Sequence, residues 1–86
     1  MIMTKIYIEN LPLEVENKDL KEKFEAFGEV ETAHIITDKE TGISRCFGFV
    51  EMPSRKAAEE AIAGLRGTEW NEKILVVNES MPKERN

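Results

Sequence analysis

At 86 residues the chain has room for one domain and no second, and a chain of this size buries only about 60–65% of its unfolded surface, so its apolar side chains must serve a single core. With 41% hydrophobic and 34% charged residues the composition is that of an ordinary globular chain, no apolar run comes near the roughly 20 residues of a membrane span, and the lone Cys46 excludes an internal disulfide and a thiolate metal cluster. The net charge of −5 speaks against wholesale attraction to a polyanion, yet it is unevenly placed: residues 10–31 hold seven acids and three bases, and the rest is nearly balanced.

The stretch from Met1 to Ile8 lacks the apolar region and cleavage site of a signal peptide, and one unpaired cysteine fits a reducing compartment, so a cytoplasmic protein is expected. Residues 5–9, Lys-Ile-Tyr-Ile-Glu, alternate polar and apolar and predict a first strand, ended by Asn10-Leu11-Pro12. A helix is predicted from about Lys18 to Phe27, with Leu20, Phe24 and Phe27 on one face, Asn17 as N-cap and Gly28 just past its end. Val30 to Thr37 reads as a second strand, and Asp38 to Gly42 as a polar turn. Residues 45–52 form a third strand. Ser54 caps a second helix whose apolar stripe is Ala57, Ala58, Ala61, Ile62 and Leu65, with Gly64 and Gly67 breaking it. Ile74 to Asn78 gives the last strand, and residues 80–86 a short polar tail after a domain spanning residues 4–79.

The order β-α-β-β-α-β, with right-handed crossovers, places both helices on one face of a four-stranded antiparallel sheet. The fold class is therefore α+β, a two-layer ferredoxin-like sandwich with an open sheet face. Burial cost chooses what that face displays. Turning Phe47 and Phe49 inward would bury Arg45 and Glu51 with them, at several kcal/mol, roughly, for each unpaired charge. So Cys46, Gly48, Val50 and Met52 face inward, and Arg45, Phe47, Phe49 and Glu51 outward. The same test buries Ile6 and Ile8 and exposes Lys5, Tyr7 and Glu9. It turns Ala33 and Ile35 in, with Thr32, His34 and Ile36 out. The last strand is continuously apolar; Leu75 and Val77 are placed inward, Val76 and Asn78 outward. The result is an aromatic cluster on a solvent-facing sheet, the mark of a binding surface. Such rings suit stacking against unpaired bases, at about 1–3 kcal/mol per base.

Two motifs then carry a resemblance. Ile6-Tyr7-Ile8-Glu9-Asn10-Leu11 and Arg45-Cys46-Phe47-Gly48-Phe49-Val50-Glu51-Met52, on the first and third strands, resemble the RNP hexamer and octamer of the RNA-recognition motif. The similarity extends over about residues 4–79, and the chain's shortness, its Asp38-to-Gly42 turn and the ending Val77-Asn78-Glu79 resemble the small single-motif RNA-binding proteins of bacteria. The resemblance implies that Tyr7 and Phe49 stack on two successive bases of single-stranded RNA, with Phe47 against a base or sugar. It implies that Arg45 contacts phosphate, and that Lys5, His34 and Asn78 add rim hydrogen bonds. Cys46 stands where the octamer usually has glycine, and Met52 where it ends in an aromatic residue; both lie on the inward phase, where they alter packing more than the sheet face.

Around that face six bases (Lys5, Lys39, Arg45, Lys73, Lys83, Arg85) meet six acids (Glu9, Asp38, Glu40, Glu51, Glu79, Glu84), a balance that predicts modest affinity and a shallow salt dependence. One histidine and one cysteine build no zinc site, and nothing supports a cofactor or a catalytic pair, so the chain is expected to be a non-catalytic monomer. Trp70, before the last strand, reads as a core plug. The alternative reading is a protein–protein interaction module of the same fold, using the aromatic sheet or the acidic first helix. A phosphatase-like enzyme on this sandwich is disfavoured, because no phosphate-cradling glycine loop is present.

Overall fold

Why the open face is open follows from where the apolar side chains go. The computed structural model describes residues 3–79. Strand β1 (Thr4–Glu9) buries Ile6 and Ile8 completely and presents Lys5, Tyr7 and Glu9 on its other side. Helix α1 (Asn17–Glu25) lays Leu20 and Phe24 into the core. Strand β2 (Thr32–Thr37) contributes Ile35, and strand β3 (Ser44–Met52) contributes Val50 and Met52. Helix α2 (Arg55–Leu65) adds Ala57, Ala58, Ala61 and Leu65. A two-stranded hairpin, β4 (Glu69–Trp70) with β5 (Lys73–Ile74), precedes the edge strand β6 (Val76–Glu79).

The main sheet is antiparallel in the order β2-β3-β1-β6, with one core cluster between it and the two helices. This is the α+β, ferredoxin-like arrangement expected from the strand and helix order. The two predicted phases of β6 resolve as expected: Leu75 and Val77 are buried, and Val76 and Asn78 are exposed.

Several local expectations need correction. The N-cap of α1 is Glu16, not Asn17. Asp19 closes the start of the helix by accepting the Glu16 N–H at 2.9 Å, which satisfies a backbone donor that the helix itself leaves unpaired. Asn17 is the first helical residue, and its carboxamide oxygen accepts the Ile35 N–H at 2.8 Å, tying α1 to β2. The helix ends at Glu25, so Phe27 and Gly28 lie beyond it. Gly28 lies close against α2, where an added β-carbon would meet that of Ala57 at 2.6 Å. Val30 is buried but precedes β2, which starts at Thr32.

Gly64 does not break α2. It sits inside the helix with the Phe27 ring against its α-carbon, and a side chain there would come within 2.8 Å of ring atoms. The helix ends at Leu65: Arg66 already leaves the helical conformation with ψ of 127°, and Gly67 follows it at φ +76°. The last strand is also shorter than predicted. Ile74 belongs to the β4–β5 hairpin, turned through Asn71 and Glu72 at positive φ, and Trp70 packs half-buried against the core from it. The edge strand β6 is shielded by two arginines: Arg55 pairs with Glu79 at 3.2 Å, and Arg66 donates from Nε to the Val77 carbonyl at 3.1 Å.

Candidate nucleic-acid interface

Register places the candidate residues relative to one another. Tyr7 of β1 lies directly opposite Phe49 of β3, Phe49 opposite His34 of β2, and Tyr7 opposite Asn78 of β6. Cross-strand partners project to the same face. His34, Phe49, Tyr7 and Asn78 therefore form one continuous row across all four strands. Two shorter rows flank it. Phe47, Glu9 and Val76 lie on one side, and Thr32, Glu51 and Lys5 on the other.

The row is pre-assembled. The rings of His34 and Phe49 stand 5.7 Å apart with a 43° tilt. The Lys5 ammonium lies 4.4 Å from the centre of the Phe49 ring and 5.9 Å from that of Tyr7. An ammonium over an exposed ring is held by about 0.5–1 kcal/mol. These neighbours explain why Phe49 is half-buried whereas Tyr7 is 40% exposed. Phe47 is likewise half-buried, and His34 and Asn78 are exposed.

Gly48, between the two phenylalanines, fixes the spacing of β3 and β2. A β-carbon there would lie 2.9 Å from the Ile35 α-carbon and closer still to the His34 carbonyl oxygen. Only glycine admits so close a backbone approach. The approach brings His34 alongside Phe49.

Arg45 stands apart from the row. The β2–β3 register runs regularly from Thr32↔Glu51 to Ile35↔Gly48 and then slips, so that Thr37 faces Ser44. Cys46 lies in that bulge with φ +65°, its N–H donating to the Ser44 hydroxyl at 2.9 Å and its carbonyl accepting from the Leu11 N–H at 2.9 Å. The thiol is half-buried rather than turned fully into the core, which corrects the inward placement read from strict alternation. The bulge sends Arg45 toward the β2–β3 turn, where it lines a shallow depression with Asp38, Thr41, Ile43 and Ser44. Asp38 organises this turn: its carboxylate accepts the Glu40 N–H at 2.8 Å and the Thr41 N–H at 3.2 Å. Those two bonds, with a smaller contribution from the Arg45 charge, hold its carboxyl below the ordinary aspartate range.

Sequence reasoning missed Arg66. From the end of α2 its guanidinium reaches the sheet edge, where Nη2 donates to Asn78 Oδ1 at 3.3 Å. Lys83, Glu84 and Arg85, counted around the face from the sequence, lie outside the described residues. On the opposite layer, Lys23 covers the Trp70 ring at 4.3 Å, beside a groove walled by Glu14, Asp19 and Glu22. Among the described residues no helix is long and apolar enough to cross a membrane.

The comparisons with known proteins agree with this geometry. The family model described as RNA recognition motif matches residues 6–76. RbpE of Nostoc sp. is 44% identical over 79 residues, which cover 92% of this chain and 80% of RbpE. The crystal structure of RNA Binding Protein PG1 superposes with a TM-score of 0.89 at 39% identity, covering 95% of this chain and 99% of that one. The Sex-lethal RNA recognition domains 1 and 2 of Drosophila melanogaster superpose with a TM-score of 0.87 at 30% identity, over 93% of this chain and 51% of theirs. With the family model matching most of its length, the chain belongs to the RNA recognition motif family.

Proposed function

We propose that this chain, as one domain over residues 4–79 and as a monomer, binds single-stranded RNA on the open sheet face and catalyses no reaction. The observation that carries the reading is the unbroken row His34, Phe49, Tyr7 and Asn78, with two ring faces side by side on adjacent strands. Successive unpaired bases stack on Tyr7 and Phe49, and Phe47 packs against a base or sugar from the neighbouring row. Aromatic stacking of this kind is tolerant of sequence, because every base has a π-face.

A base arriving on Phe49 takes the place of the Lys5 ammonium. The displaced cation then turns to the phosphate joining the two stacked nucleotides, so its attraction is exchanged rather than lost. Arg45, standing off the row near the turn, meets the backbone further along the strand. His34 and Asn78 bound the row at its two ends as hydrogen-bonding rims. Glu9 and Glu51 lie among these cations on the same face, which keeps affinity moderate and the salt dependence shallow.

The test is the Phe49→Ala variant, measured by fluorescence anisotropy with a short single-stranded RNA. Removing one stacking platform weakens binding by about 1–3 kcal/mol, roughly 5- to 150-fold, and leaves the circular dichroism and melting profile of the fold intact. A variant that keeps wild-type affinity contradicts the stacking role. Binding of a protein ligand instead, with RNA ignored, would favour the interaction-module reading, for which the acidic groove beside Trp70 is the natural seat.

A further inference from the structure

We infer that Glu9 selects guanine for the base that packs on Phe47, a preference at one position that rests on the RNA-binding reading above and adds to its sequence-tolerant stacking. The Glu9 side chain lies exposed on the open face, and its direct cross-strand neighbours are Phe47 of β3 and Val76 of β6. Both are apolar, so neither neutralises it. The ion pairs among the described residues engage Glu25, Glu59 and Glu79, and neither an ion pair nor a hydrogen bond reaches the Glu9 carboxylate. Lys5, on the same strand and face, is four residues away, about 13 Å along an extended chain. Glu51, the other acid between the strands of this face, differs: Lys5 is its direct cross-strand partner.

An ionised carboxylate only accepts hydrogen bonds, through two oxygens held side by side. It repels phosphate, so bound RNA compensates it by presenting N–H donors from a base edge. Guanine alone among the four RNA bases presents two adjacent donors, N1–H and the N2 amino group, at a spacing that matches the two oxygens. Adenine and cytosine set a ring-nitrogen acceptor beside their amino group, and uracil sets carbonyls on both sides of N3–H. Each of these three turns a lone pair toward the second oxygen of Glu9, which is left stripped of water without a partner.

The charges flanking Phe47 orient the nucleotide to suit. Arg45 stands at the β2–β3 turn, away from β1, and draws the phosphate to that flank of the ring. Glu9, on the β1 flank, repels it. The Watson–Crick edge of a purine points away from its sugar, so a nucleotide held in this sense turns that edge toward β1. Cross-strand side chains start about 5 Å apart, and a purine is wider than a phenyl ring. An edge projecting past Phe47 therefore falls within reach of the Glu9 carboxylate.

The experiment measures, at constant salt, the affinities of two uridine heptamers for the whole chain, one with guanosine and one with inosine at its centre. Inosine is guanosine without the 2-amino group, so the pair isolates one donor. The wild type should bind the guanosine heptamer about tenfold more tightly, the effect of one hydrogen bond to a charged group. Glu9→Gln presents a carboxamide, which pairs with N1–H and O6, groups that both bases carry, and should bring the ratio below about twofold whatever it does to affinity as a whole. Glu51→Gln should keep the wild-type ratio. Measurable binding with a ratio near one in the wild type overturns the inference and leaves RNA binding standing. A wild-type ratio retained in Glu9→Gln, or lost in Glu51→Gln, also overturns it. Failure to bind either heptamer refutes the RNA-binding reading itself, and the guanine preference with it.

Discussion

Cys46 offers a test in which two kinds of reasoning give opposite signs. Its φ of +65° puts it in the left-handed region, at a bulge where both its N–H and its carbonyl are committed to hydrogen bonds. For a residue with a β-carbon that conformation costs about 1–2 kcal/mol. Glycine removes the cost but adds about 0.5–1 kcal/mol of chain entropy lost on folding. The half-buried thiol is worth a further fraction of the roughly 0.8 kcal/mol of one methylene group. Cys46→Gly should therefore be stabilising by about 0.5 kcal/mol or close to neutral. Cys46→Val places a β-branched side chain at positive φ and should cost about 2 kcal/mol. Strand propensity alone predicts the reverse order, valine above glycine by up to about 1 kcal/mol. Equilibrium unfolding in guanidinium chloride, followed by circular dichroism, resolves a gap of this size. If the valine variant is as stable as the glycine variant, the bulge is not what sets this position and the reasoning fails.

Gly48→Ala should be severe, at about 3 kcal/mol or more, because the added methyl meets backbone of β2 rather than a side chain that can move; unfolding curves measure it, and a near-neutral result would show that the two strands separate easily. At the turn, the Asp38 carboxyl is held below its ordinary range, so its contribution is fully present above that range and is lost as pH falls through the lowered value. Hydrogen exchange of the Gly42 amide, which donates to the Asp38 carbonyl at 2.7 Å, should show protection falling over that acid range. The Asp38→Ala variant should already lack that protection at neutral pH, and wild-type protection in it would contradict the account.

The layered fold and the aromatic face were legible because one argument settles both. Lys5, Glu9, Arg45 and Glu51 alternate with apolar residues, and charges do not enter a core unpaired. The row His34, Phe49, Tyr7 and Asn78 adds the register, which phase alone leaves open. Where the pattern loses its period, the reading lost accuracy. Ile74 to Val77 is apolar throughout, so nothing local marks the boundary between hairpin and edge strand. At Cys46 the bulge leaves no trace in the hydrophobic pattern, and only the octamer's usual glycine hints at positive φ. Asn17 has the chemistry of an N-cap but is drawn off by the Ile35 amide, a partner 18 residues away. Arg66 was invisible for the same reason: its role depends on Val77 and Asn78, brought beside it by the last crossover.

The most direct measurement of the central claim is an amide-resolved NMR titration of the chain with a short mixed-sequence RNA at low salt. Shifts should concentrate on Lys5–Glu9, on residues 45–51 and on residues 76–78, the strands that bear the aromatic row. No shift at high RNA concentration, or shifts confined to α1 and the Trp70 hairpin, would contradict it.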